Sequence, residues 1–104
     1  MSNPIIESVK DKYCVIRGKE FGIFAGTVKN VDAGCVLVEK ARRLWYWDGA
    51  ASISQIAAEG VTAPKNCKFS VAVDSIVLRS WIEIIPTTEA ARKIIEEVPV
   101  WKRQ

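Results

Sequence analysis

Through the first half of the chain, apolar and polar residues alternate in short runs, the period of half-buried strands. Residues 13–17 (YCVIR) and 21–29 (FGIFAGTVK) are β-branched and aromatic, and the GKE between them carries the glycine of a hairpin connection. A third strand is expected at 34–39, after the turn signal NVDAG. The pattern resumes over 42–47, RRLWYW, after a break at Lys40–Ala41. Gly22 and Gly26 fall on one side of the second strand, where a missing side chain permits a sharp bend or the close approach of another backbone.

The period then changes. Ser52 followed by Gln55 has the form of a capping box, Ile53, Ile56 and Ala57 make a short apolar stripe, and Gly60 is a stop, so a helix of about two turns is expected. Residues 61–66 read as loop. Residues 67–73 and 76–85 read as a second hairpin around Asp74–Ser75, with Cys67, Phe69, Val71 and Val73 on one face. Pro86 ends that strand. Thr87 or Thr88 then caps a last helix to about Glu97, with Ala90, Ala91, Ile94, Ile95 and Val98 as its buried stripe and Pro99 beyond it. The expected class is α+β: a curved antiparallel meander with a short inserted helix and a C-terminal helix. With only 104 residues, two separate cores would each be too small, so 1–104 is read as one domain.

Composition changes this picture in three respects. Hydrophobic residues make up 49% and include four tryptophans, more than closing so small a core requires, which points to a homo-oligomer. Fifteen basic against twelve acidic side chains give +3, too mild for a protein living on duplex nucleic acid and suited to a small anionic ligand. With no histidine and no Walker loop, a triad hydrolase or P-loop enzyme is not expected; the chain reads as a binding protein without a cofactor. Three scattered cysteines indicate neither disulfides nor a metal site and read as buried, reduced thiols. Neither a leader pattern nor a membrane-length apolar run is seen, so a cytosolic protein without a membrane partner is expected.

The candidate chemistry centres on 42–47. Alternation puts Arg43, Trp45 and Trp47 on one face and Arg42, Leu44 and Tyr46 on the other, so an arginine lies beside aromatic rings either way. A guanidinium grips phosphate with two prongs and stacks on flat rings. Phe69 reads as a stacking platform or as core. Arg79 interrupts an apolar strand and so answers a charge or faces water. Arg92 is a ligand group or the partner of Glu96. The helix starts at Ser52–Gln55 and Thr87–Ala90 offer backbone N–H groups to an anion, and DGAAS is bare enough for close approach.

GIFAGTV, ARRLWYWDGAASISQIAAEGV, NCKFSV and IEIIPTTEAARKIIEEVPVW resemble small phage proteins of the first Thoeris anti-defence family of sponges, over residues 13–101. The resemblance implies a non-enzymatic oligomer, a dimer or trimer of dimers, in the host cytoplasm. It would sequester a cyclic ADP-ribose signal made by TIR-domain defence enzymes, without degrading it; some relatives also hold cyclic trinucleotides at separate sites. On that reading Phe69 and Arg92, then Trp45 and Trp47, stack on adenine, and Arg43 with Arg42 or Arg79 holds phosphate. A rival resemblance joins IRGKEFGIFAGTV and GCVLVEKA to the opening strands of Sm-like and SH3-like barrels, implying an RNA or protein partner. The dispersal of basic residues along the chain weighs against nucleic acid. In a third reading the protein is a structural phage component and the aromatic segment is interface.

Overall fold

Strand β1 (Tyr13–Gly18) is buried on both faces, and this organises the molecule. Cys14 and Ile16 face one apolar cluster, with Phe24, Val28, Val31, Val36, Val38, Ala41 and Leu78. Tyr13 and Val15 face another, with Ala25, Leu44, Ile56, Phe69, Ile95 and Val98. This computed structural model describes residues 4–32 and 34–103, so Ala33, within the expected 30–34 turn, lies outside the described residues. Around β1 the chain runs α1 (Pro4–Val9), β2 (Ile23–Asp32), β3 (Cys35–Tyr46), α2 (Ile53–Glu59), a 3-10 turn (Pro64–Asn66), β4 (Lys68–Phe69), β5 (Val73–Arg79), β6 (Trp81–Pro86) and α3 (Glu89–Glu97). The class is α+β, a curved six-stranded antiparallel sheet with an inserted and a C-terminal helix. Among the described residues no helix is long and apolar enough to cross a membrane.

The strand order is β4-β3-β2-β1-β6, and β5 pairs with β3 alongside β4. A single residue, Ser80, separates β5, on the β3 side, from β6, on the β1 side, so the sheet must curl to bring its two sides together. Ser80 also ties the hairpin turns: its N–H donates to Gly34 O (2.9 Å), and its carbonyl accepts from Lys19 N–H (3.2 Å). The sheet stays open along the seam between β5 and β6, where no ladder forms among the described residues.

Two expectations need correction, and one element was not expected. The hairpin around Asp74–Ser75 does not form. Residues 73–79 are one strand paired with β3, and the reversal lies at Ser80, whose φ of 60° breaks the expected 76–85 strand into β5 and β6. The expected strands 34–39 and 42–47 are one strand, β3, with a bulge where Lys40 takes φ 54°. Helix α1 carried no sequence signal, being only six residues long.

The expected caps are present: Ser52 Oγ accepts from Gln55 N–H (3.2 Å) and Thr88 Oγ1 from Ala91 N–H (3.0 Å). Gln55 Oε1 reaches back to Ala51 N–H (2.7 Å), one residue before the cap. A Cβ on Gly26 would stand 2.6 Å from Val38 Cγ1 and 2.9 Å from Glu39 O, so the close approach expected of that glycine occurs at the bulge.

Candidate functional site

The aromatic segment of β3 is first of all a zipper. Arg43 N–H donates to Ser70 Oγ (2.7 Å), and Ser70 N–H donates to Arg43 O (2.9 Å). Leu44 pairs with Phe69 and Tyr46 with Lys68. Beyond the strand, Asn66 Nδ2 donates to Asp48 Oδ2 (3.0 Å) and Thr62 N–H to Gly49 O (3.2 Å). The bare DGAAS stretch is therefore occupied by its own chain: any Cβ on Gly49 would meet Thr62 and Ala63.

Arg42 is the pin of this zipper. It is 4% exposed, and its guanidinium lies 5.5 Å from the Phe69 ring centre. Nε donates to Ser70 O (2.8 Å), Nη1 to Ile95 O and Val98 O (both 2.9 Å), and Nη2 to Phe69 O (3.2 Å). The last carbonyls of a helix lack a full set of backbone donors; Ile95 O accepts from Val98 N–H (3.3 Å) as well as from Arg42, and the buried cation supplies a donor to Val98 O beyond the helix end. Burial pushes the Arg42 pKa down, and the facing Tyr13 opposes that shift. Arg42 is thus committed to four carbonyls of its own chain, which corrects its expected phosphate role. Phe69 is fully buried and has no face to offer adenine. Arg92 lies 5.1 Å over the Tyr13 ring and donates to Glu96 (3.3 Å), the surface pairing already open to it from sequence. Trp47 is half-buried against the α2 and α3 cluster.

Arg43 and Trp45 do come together. The Arg43 guanidinium lies 4.3 Å over Phe24 and 5.3 Å over Trp45, with Nη1 donating to Phe21 O (2.8 Å). Arg79 is exposed and lines an open cleft of ≈ 520 Å³ with Glu20, Phe21, Val77, Leu78 and Ser80. Phe21 connects the two, since it touches Arg43 and lines the Arg79 cleft.

A second group was not read from the sequence. The chain after α3 returns beside β4: Phe69 bridges to Val100, and Trp101 N–H donates to Phe69 O (2.9 Å). Tyr46 thus faces Lys68 across the β3–β4 ladder, and Trp101, one residue past Val100 on the next segment, lies diagonally from Lys68. Tyr46 is 53% and Trp101 50% exposed, and Lys68 Nζ lies 5.4 Å over the Trp101 ring. Lys102 and Arg103 follow, both exposed, and with Trp101 they line a hollow of ≈ 460 Å³. The result is an open ledge of two rings and three cations. Its members are 57 residues apart at the extremes, 46 to 103, so no local motif announces it. Arg42 holds the ledge from beneath, since its four acceptors lie on β4, on Ser70 and at the end of α3.

No curated protein and no solved structure matches this chain. A family described as a domain of unknown function (DUF6948) matches residues 11–95, from just before β1 to within α3. That match covers the six-stranded sheet, the zipper and Arg42 and stops short of Trp101, and over those residues the chain belongs to the DUF6948 family.

Proposed function

We propose that the protein is a non-catalytic binding module for single-stranded nucleic acid, RNA in the first instance, and that the ledge is where it binds. The observation that carries this is Lys68 standing between the exposed rings of Tyr46 and Trp101, with Lys102 and Arg103 next in the chain. Rings of this kind stack on any base, and cations between them follow the backbone; each stacked base is worth about 1–3 kcal/mol. An open shelf suits a strand that passes across it better than a small molecule that must be enclosed. The curled strand path lends support through the Sm-like and SH3-like resemblance. Basic residues dispersed along the sequence are no objection, because the fold gathers three of them at the ledge.

The second reading is the cyclic ADP-ribose sponge, favoured by the sequence resemblance and by Arg43 beside Trp45. Here adenine would stack on Trp45 and the pyrophosphate would meet Arg43 and Arg79 around Phe21. Fluorescence anisotropy with a labelled ten-nucleotide single-stranded RNA, run beside calorimetry with cyclic ADP-ribose isomers, separates the two. The ledge reading predicts RNA binding whose log K falls with log salt at a slope of about −2, for roughly three neutralised phosphates. Trp101→Ala and Tyr46→Ala should each weaken it by about 1–3 kcal/mol. Tight uptake of a cyclic ADP-ribose isomer, recovered intact on denaturation and weakened about 1.5–3 kcal/mol by Arg43→Ala, with no RNA binding, would transfer the function to the sponge.

A further inference from the structure

Strand β5 pairs with β3 along one side only; among the described residues no strand pairs with its other side. It cannot close on β6, because the single residue between them is too short for a hairpin connection. Open strand edges are ordinarily guarded by charge, proline or twist. The other open edge, on β6, has such guards: Glu83, ion-paired to Arg17 (2.9 Å), and Pro86 at its end. On β5 the charges stand near the two ends, Asp74, ion-paired to Lys40 (3.8 Å), and Arg79, and the stretch between them, Ser75-Ile76-Val77-Leu78, contains neither charge nor proline. On its outward face Val77 is 61% and Val73 42% exposed, with Ser75 between them and Arg79 at the end.

We infer that the β5 edge is a dimerisation surface, and that its occupant is β5 of a second copy, antiparallel, with the two-fold axis at Ser75. The sequence is self-complementary in that register. Val73 faces Val77 of the other copy and Val77 faces its Val73, so four β-branched side chains meet, the kind of cross-strand pair that stabilises a sheet. The small Ser75 meets itself on the axis. Asp74 faces an isoleucine, so no like charges are opposed. Shifting the axis to Ile76 would set Val73 against Arg79 and Val77 against Ser75 and lose the valine cluster. A closed two-fold contact also ends the assembly at two copies, whereas pairing β5 with β6 of the next copy would continue around a ring or along a fibre. The pairing lies along residues 35–41 of β3, whereas the ledge begins at Tyr46, so the inference stands whether or not the ledge binds RNA.

Light scattering on the full chain, with oxidative cross-linking as a second readout, tests the arrangement. The expected mass is twice 11.6 kDa. Val77→Lys should give the monomer mass at equal concentration with an unchanged circular dichroism spectrum, since the side chain is exposed and its replacement disturbs only the edge. Ser75→Cys should cross-link to a covalent dimer under mild oxidation, and Ser8→Cys on α1, remote from the edge, should not. A monomeric native chain, a dimer that Val77→Lys leaves intact, or equal cross-linking at positions 75 and 8 would overturn the assignment.

Discussion

Arg42 and Arg43 are adjacent in sequence and opposite in role, because successive residues of a strand point to opposite faces. Arg42 points into the helix-covered cluster and ties together four carbonyls from β4, Ser70 and the end of α3; Arg43 lies on Phe24 and Trp45 at the rim. Arg42→Ala should therefore cost about 3 kcal/mol in chemical denaturation, the loss expected when a buried charged network is opened. Arg42→Lys should recover little of it, since one ammonium cannot span four carbonyls on separate segments. Arg43→Ala should cost about 1 kcal/mol, the scale of a cation–ring contact. The thiols differ in the same residue-by-residue way. Cys14 is fully buried, and burial pushes its thiol up to about 12, while Cys35 is half-buried. Under native conditions a thiol alkylator followed by mass spectrometry should label Cys35 ahead of Cys14 and Cys67. Cys14 also sets a pH dependence. Its raised pKa means that the folded chain keeps a proton which the unfolded chain releases above the ordinary value of 9.0, so stability is complete below pH 9 and declines toward pH 12. Tyr13, raised by burial and by Glu96, adds a decline of the same sign above its ordinary 10.0. Urea midpoints should fall from pH 9 upward, and Cys14→Ala should flatten the portion between 9 and 10.

At the scale of elements, the bends of the strands decide the fold. β2 and β3 differ in residue count at the Lys40 bulge, and Gly26 sits opposite, where the backbones approach most closely. Gly26→Ala should destabilise by about 1–3 kcal/mol, the cost of forcing a methyl into a filled space, with the spectrum of the folded chain retained. Most elements were legible from sequence because each carries a local signal: the Ser52 and Thr88 caps, the Gly60 stop, and the alternation of β1 and β2. The six-residue α1, the continuity of β3 through Lys40 and two features around β5 were not. Apolar residues continue on both sides of Ser80, and nothing in a serine announces a left-handed backbone, so β5 and β6 read as one strand. Asp74–Ser75 carries turn-forming residues, yet the ladder to β3 holds both extended, tertiary pairing overriding local preference.

For the molecule as a whole, the sequence held the components of the site but not their grouping. RRLWYW was visible as an unusual segment, and its conspicuous residues divided four ways: Arg42 became a strut, Trp47 joined the α2 and α3 cluster, Arg43 with Trp45 stayed together at the rim, and Tyr46 faces Lys68 on the ledge. The ledge depends on contacts between residues 46, 68 and 101, which only the return of the chain after α3 creates. The molecule measures 44 × 27 × 22 Å, with the ledge on the β4 side of the sheet and the open β5 edge farther along the same strand, β3. The four tryptophan indoles provide the most direct test. In ¹⁵N-labelled protein titrated with a ten-nucleotide single-stranded RNA, the ledge account predicts that the Trp101 indole signal shifts most and that those of Trp47 and Trp81, packed against the two clusters, stay in place. A shift confined to Trp45, or none at any indole, would contradict it.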